Sequence, residues 1–328
     1  MHRTGSGFPW WRPQRARGFT RSLLLGISLA ALAIPRVTAE AHCPANLLTI
    51  PYHSLYKSQF AIPVRIEQSQ PYDFLVDTAS QITIVDPELA EELHLQPQGS
   101  VDFTNLSNNS RAFLTRAGTV EAGSHVVRSL LIAVKELGQI RAVNPSVRGI
   151  LGENFLARFD LLIDYRHRIL CLDAGSAMEQ QLRGEHLTLE LGPDNSSDEP
   201  FPRPLRIRVH LSDAVPGRKD ASMADRRGTM LKLDSGANVA ILFAPRVGAV
   251  VANLREGSVL GGSDEFFALL PPQDVSIGQR SLCQVVFVAP VIQRRLPASR
   301  IEDGVLPTAL FHRIFVSYRD RTAILDPR

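Results

Sequence analysis

Two aspartates stand in matching local patterns. "LVDTASQITI" around Asp77 and "KLDSGANVAI" around Asp234 each end an apolar run on a carboxylate. A hydroxyl residue follows (Thr78, Ser235), then a small one (Ala79, Gly236), then a second apolar-alternating run. A carboxylate taken out of water is costly unless it pairs with a cation, binds a metal or shares a proton with a neighbour. Two such groups brought face to face hold one proton between them and titrate as a unit. The ionised member can polarise a water while the protonated one donates, which is the acid–base pairing that hydrolysis of an unactivated amide needs.

The elements that would bring them together are visible as a repeat. A shift of 157 positions (234 minus 77) aligns the two aspartates, and it aligns Ile82 with Val239 and Ile84 with Ile241. One such match is expected on the order of once in twenty chains of this size from average composition, so alone it decides little. A second block decides it. "RGILGENFLARFDLLIDYRHRILCLD" from Arg148 matches "DGVLPTALFHRIFVSYRDRTAILDP" from Asp303, with Gly149, Ile150, Leu151 and Gly152 opposite Gly304, Val305, Leu306 and Pro307, and Tyr165 opposite Tyr318. The intervals from each aspartate are 72 (149 minus 77) and 70 (304 minus 234) residues. Between them lie hairpin-like runs with Gly123 and Gly278 at the turns.

The mature chain therefore reads as a tandem duplication of a unit of roughly 130 residues. Short, β-branched, alternating segments bounded by turn residues predict an all-β fold with a few short helices, two β-barrel lobes in one chain. "DPELAEELHL" from Asp86 and "NFLARF" from Asn154 carry helix signals. The expected lobes are 43–173 and 186–328, linked by 174–185, with "HLTLEL" from His186 the counterpart of "LLTIPY" from Leu47. "PDNSSDEPFPRP" (193–204) reads as an exposed loop within the second lobe.

Residues 1–39 hold six arginines and no acid, and they lead through "SLLLGISLAALAI" to small residues that offer cleavage after Ala39 or Ala41. This predicts a cleaved secretory signal, because the apolar run is shorter than the roughly 20 residues of a spanning helix. Periplasmic or secreted localisation follows, with no stable membrane insertion after cleavage. Without that segment 30 basic residues face 33 acidic ones, a net of about −3, which excludes a nucleic-acid-binding surface. Three widely spaced cysteines (Cys43, Cys171, Cys283) allow at most one disulfide in any pairing. Nine scattered histidines and no Cys/His spacing give no metal site.

The double strand-Asp-Thr/Ser-Gly/Ala pattern, each followed by an "ILG"- or "VLP"-type block, resembles the retropepsin and pepsin class of aspartic proteases, in the style of single-chain bilobal bacterial retropepsin-like proteins. The resemblance runs from about Leu47 to Pro327. It implies a bilobal β fold, a cleft that takes a polypeptide substrate, endopeptidase activity without a cofactor, and Asp77 with Asp234 as the catalytic dyad. Thr78, Ala79, Ser235 and Gly236 would form the supporting loops, and Ile150, Leu151, Gly152, Val305, Leu306 and Pro307 the blocks behind them. A monomer suffices for a complete site. Three departures stand out: Ala79 where glycine is usual, Pro307 where Gly152 stands in the first copy, and no clear flap, for which "TNLSNNSRAF" from Thr104 and "GSVLGGSDEF" from Gly257 are the candidate loops.

Each aspartate taken singly is more often a turn-capping residue than a catalyst. It is the pair in register that favours chemistry. Asp164 and Asp173, which also follow apolar runs but lack the succeeding Thr/Ser and Gly/Ala, are expected to be solvated strand ends, and "QRRLPASR" (293–300) a solvated loop. A lobe pair that binds peptides without cleaving them is the rival function. A two-lobed solute-binding protein is disfavoured by the absence of βαβ alternation.

Overall fold

In the first copy, alternating strands line up as β1 Ile50–Pro51, β2 His53–Ser54, β3 Phe60–Ile66, β4 Tyr72–Val76, β5 Thr83–Val85, β6 Gly99–Thr104, β7 Asn109–Ala122, β8 His125–Val134, β9 Val147–Leu151, β10 Asp160–Asp164 and β11 Ile169–Asp173. The second copy supplies β12 His186–Thr188, β13 Arg206–Asp213, β14 Thr229–Asp234, β15 Ala240–Leu242, β16 Phe267–Leu269, β17 Gln273–Ile277, β18 Arg280–Val285, β19 Phe287–Pro290, β20 Gly304–Pro307, β21 Arg313–Ser317 and β22 Thr322–Leu325. Four short helices accompany them: α1 Pro87–Glu92, α2 Gly138–Val143, α3 Glu153–Leu156 and α4 Ala177–Gln181. The computed structural model describes residues 42–56, 58–104, 109–190, 205–213, 228–243, 267–290 and 302–328. The expected signal segment, the 193–204 loop, the arginine-rich 293–300 stretch and the tips of both candidate flaps lie outside the described residues.

The chain is mainly β, as its alternation predicts. In the first copy β3-β4-β9-β5-β8-β7 follow one another by hydrogen bonding, and pairing of β3 with β7 closes the ring into a six-stranded barrel. The second copy keeps the order β19-β15-β20-β14-β13, but its long hairpin is broken into shorter strands, so that β13 pairs with β17 and β16 with β19. In both copies the strand before the aspartate runs parallel to the Gly-Ile/Val-Leu strand, β4 with β9 and β14 with β20. That parallel pairing is what brings each block behind its aspartate.

A third sheet, ordered β1-β11-β10-β21-β22-β12, joins the copies through the antiparallel pair β10–β21, with Leu161 opposite Val316 and Ile163 opposite Ile314. β1 on β11 and β12 on β22 are its outer strands, in equivalent positions. The unbroken apolar runs of β10 and β11 make sense here, since both faces of the sheet are covered. Leu161, Ile163, Leu170 and Leu172 face the main core shared with the barrels. Leu162, Ile169 and Cys171 face a second cluster with Met178 and Leu182 from the linking segment that holds α4. Residues 41–328 thus form one unit.

Helix α1 starts as its sequence predicts, with the Asp86 carboxylate accepting from Leu89 N–H at 2.8 Å and Pro87 in the first turn. Asp86 is wholly buried but answered by the Arg148 guanidinium at 2.6 Å. Asp164 and Asp173 depart from expectation: both are buried, at 3 % and 4 % exposure, rather than solvated. Each has donors that the strand pattern does not reveal. Asp164 accepts from His167 N–H at 2.8 Å and meets Arg313 of the other copy at 3.2 Å, while Asp173 accepts from Gly175 N–H ahead of α4 and from Met178 N–H in its first turn.

Of the pairings open to three cysteines, Cys43–Cys171 is the one formed, and Cys283 is free and exposed. It ties the segment ahead of β1 to β11 across 128 residues of sequence. Replacing both cysteines by serine is expected to lower unfolding stability by about 2–5 kcal/mol, read from urea denaturation under oxidising conditions.

Candidate active site

Each aspartate leaves its strand into a tight loop whose N–H groups turn back on the carboxylate. Asp77 Oδ1 accepts from Ala79 N–H at 2.7 Å and Ser80 N–H at 3.1 Å, and Asp234 Oδ1 from Gly236 N–H at 2.7 Å. The block behind Asp77 is in direct contact with its loop. Asp77 N–H donates to Leu151 O at 3.1 Å and Glu153 N–H to Ser80 O at 2.7 Å. A Cβ at Gly152 would sit 2.5 Å from Ile82 O and 2.8 Å from Ser80 O, so only glycine lets this backbone pass. Leu151 and Leu306 are fully buried, and Ile150 and Val305 nearly so. On the other side Pro307 lies opposite Asp234 in the parallel register. Having no N–H, it cannot repeat the bond that Gly152 donates to Thr83 Oγ1 at 3.2 Å.

The loops interlock across the approximate two-fold. Thr78 N–H donates to Ser235 Oγ and Ser235 N–H to Thr78 Oγ1, each at 3.1 Å. The hydroxyls then donate onward, Thr78 Oγ1 to Leu233 O at 3.0 Å and Ser235 Oγ to Val76 O at 2.8 Å. Both side chains are 1 % exposed, so these four bonds are sealed from water. The carbonyls two residues after the aspartates are held as well, Ala79 O by Lys232 Nζ and Gly236 O by Gln59 Nε2. Ala79 does not adopt a left-handed φ, so the alanine fits its loop without backbone strain.

This interlock puts the carboxylates side by side. A Cβ at Gly236 would lie 2.8 Å from the carboxyl carbon of Asp77, which is why the opposing loop carries no side chain there. Asp77 accepts a hydrogen bond from the Asp234 carboxyl. Burial, then the charge of Asp77, pushes Asp234 up to about 7. Burial also raises Asp77, opposed by the N–H groups of Ala79 and Ser80 and by the Lys232 ammonium. The pair therefore titrates as a unit, with one proton and one negative charge shared between Asp77 and Asp234. That arrangement can withdraw a proton from a water and deliver one to a leaving group.

Three more ionisable groups lie behind the pair. Glu153 has no exposed surface, its Oε1 accepts from Leu205 N–H at 3.1 Å, and burial raises it well above the usual carboxylate range. Its Oε2 and the Tyr318 hydroxyl are both buried without a hydrogen-bond partner among the described residues. Lys232 is half-buried on the Asp234 face of β14. Reasoning from motifs missed all three. The signal for Lys232 was present, since a lysine two residues before Asp234 in an otherwise apolar strand must share its face.

A family model described as aspartyl protease matches residues 62–155. It spans β3 to α3 and takes in Asp77, Thr78, Ala79 and the Ile150-Leu151-Gly152 block, stopping short of the second aspartate. The match supports a retropepsin-like aspartic protease family. No curated protein matches the chain. Such a family acts on polypeptides by hydrolysis, and among the described residues no His/Cys/Asp/Glu group is arranged to hold a metal.

Replacing Thr78 by valine leaves Ser235 N–H without its acceptor and Leu233 O without its donor. We expect a loss of about 2–3 kcal/mol in unfolding stability. Ser235→Ala should cost a similar amount, and the double variant less than the sum, because both remove the same interlock. Chemical denaturation of the three variants measures this.

Proposed function

We propose that the chain is an exported aspartic endopeptidase whose Asp77/Asp234 pair hydrolyses peptide bonds within one bilobal subunit. What carries the reading is the single proton shared by two half-buried carboxylates that the Thr78–Ser235 interlock holds together. The family match to residues 62–155 supports it from the side of Asp77. The second half of the motif, Asp234-Ser235-Gly236, completes the pair from the same chain, so no second copy is needed.

In this reading a polypeptide lies between the lobes over the pair, with a water between the carboxylates and the scissile carbonyl. Asp77, ionised, takes a proton from the water as its oxygen attacks the carbonyl carbon, while the proton on Asp234 passes to the carbonyl oxygen. A tetrahedral diol forms. When it collapses, the C–N bond breaks, the amine leaves with a proton from Asp77, and Asp234 recovers its own from the diol hydroxyl. The ends of both carboxylates stay in place because their loop N–H groups and the interlock fix them, so little reorganisation is needed. Export rests on the arginine-led apolar segment before Ala39.

Cleavage of an unfolded polypeptide, followed across pH, tests the reading. Asp77→Asn and Asp234→Asn should each lower kcat by at least about 10³-fold, and a pepstatin-type inhibitor should block the wild type. Cleavage untouched by both substitutions overturns the dyad, and peptide binding with no cleavage from about pH 3 to 8 replaces the enzyme with a peptide-binding protein. The rate should fall as pH rises through about 7, where Asp234 loses the proton it must donate.

Stability should follow the same group. A carboxyl raised from 3.8 to about 7 on folding stabilises the fold fully below its unfolded value, and that contribution is lost as pH rises through about 7. Asp234→Asn removes the share of the dependence that Asp234 carries, and at pH 8 the variant should be more stable than the wild type by on the order of 1–4 kcal/mol, measured by denaturation at pH 5 and pH 8.

A further inference from the structure

Beyond Pro307, the two copies differ around the dyad in charge. Lys232 stands where the first copy has Leu75, and Glu153 stands where the second has Thr308. Around Thr308 the contact is complete, its Oγ1 hydrogen-bonded to the Tyr165 hydroxyl at 2.5 Å. Tyr318, the counterpart of Tyr165, faces Glu153 instead, and neither the Tyr318 hydroxyl nor Glu153 Oε2 has a hydrogen-bond partner among the described residues. One side of the site therefore carries a cation and a buried acid that the other side lacks.

Resting on the endopeptidase reading above, we propose that Lys232 is a positioning residue of the dyad. It fixes the Asp77 loop through Ala79 O and balances the single negative charge of the pair, with Glu153 kept neutral behind it. The groups that face Lys232 come from several elements. Asp77 follows β4, Asp234 ends β14 and Glu153 opens α3, and all three feel its charge. Tyr318, after β21, faces Glu153 and Asp77, and Tyr165, after β10, faces Asp234. Arg206 is the cross-strand partner of Lys232 on β13, is buried, and its Nε has no hydrogen-bond partner among the described residues.

When the dyad holds one proton and Glu153 another, the ammonium of Lys232 cancels the charge of the three carboxyls, and the Arg206 guanidinium across the strand adds a further positive charge. A cation this close favours the one-proton form of the pair over the two-proton form, so the pair begins to work at a lower pH than an unassisted dyad. The same field eases loss of the second proton. Removing the charge should therefore move both limbs of the pH profile upward.

The test uses the full mature chain and three variants. Lys232→Gln keeps a donor for Ala79 O but removes the charge, Lys232→Met removes both, and Glu153→Gln replaces the neutral acid by a neutral amide. Both Lys232 variants should shift the two limbs of the kcat profile upward by about one pH unit, with KM changed less than about twofold. Glu153→Gln should leave the limbs in place. Lys232→Met should in addition lower kcat at its own optimum by more than Lys232→Gln does. Limbs that stay put in Lys232→Gln overturn the proposal, and so does a shift in Glu153→Gln. Carboxyl ¹³C NMR of aspartate-labelled protein separates this result from the functional reading. If the wild type cleaves nothing, the endopeptidase reading fails, yet an upward shift of the pair's titration in Lys232→Gln still upholds the role of Lys232, and an unmoved titration sinks it.

Discussion

Two carboxylates side by side are the constraint on which the structure turns. Two full charges about 4 Å apart repel by about 4 kcal/mol at an effective dielectric constant near 20, enough to drive apart loops that nothing else holds. One proton between Asp77 and Asp234 turns repulsion into a hydrogen bond. It does so only if the loops stay in register, and that register is set by four buried bonds of Thr78 and Ser235. The barrels supply the strands, and β10 with β21 supplies the joint that brings both loops to one axis. The interlobe sheet and the dyad are two ends of the same two-fold relation.

The duplication did not remain symmetric in its charges. Thr78 and Ser235, Leu151 and Leu306, and the held carbonyls of Ala79 and Gly236 keep their counterparts. Glycine is kept where the opposing carboxylate comes nearest, at Gly236, and where backbone passes backbone, at Gly152. Pro307, Lys232 and Glu153 break the pattern. A symmetric dyad has no reason to place its proton on one side. Here each carboxyl draws on two N–H groups of its own loop, Ala79 and Ser80 for Asp77 and Gly236 and Ala237 for Asp234; what differs is that Asp77 accepts the hydrogen bond of the pair while Asp234 feels the charge of Asp77.

The features of the fold written in local pattern were legible in the sequence. Alternation marked the strands, Asp86-Pro87 marked the start of α1, and a repeat of 157 positions matched Thr78 to Ser235 on position alone. Other features depend on strands distant in sequence and could not be read that way. Cys43 meets Cys171 only because β1 lies on β11. Asp164 is buried because Arg313 of the other copy reaches it, so its isolated strand end misleads. Lys232 was readable as a residue on the Asp234 face, but not as a donor to Ala79 O, which takes the second lobe's strand to the first lobe's loop. The candidate flaps, from Thr104 and Gly257, have their tips outside the described residues; the paired stem of the first, β6 with β7, is formed.

The buried ionisable groups also explain why such a site weighs on the fold that carries it. Asp77, Asp234 and Glu153 are all raised by burial, so each binds its proton more tightly in the folded chain than in the unfolded one. Every one of them draws stability away as pH rises, and none returns it. The counterweight lies outside the site, in a core shared by both barrels, a sheet covered on both faces and a disulfide at its edge. Lys232 offsets the same burden from within the site, alongside the N–H groups that each carboxyl accepts from, since its charge favours the ionised form of all three carboxyls. Its place beside Asp234 therefore serves stability and chemistry through one electrostatic interaction.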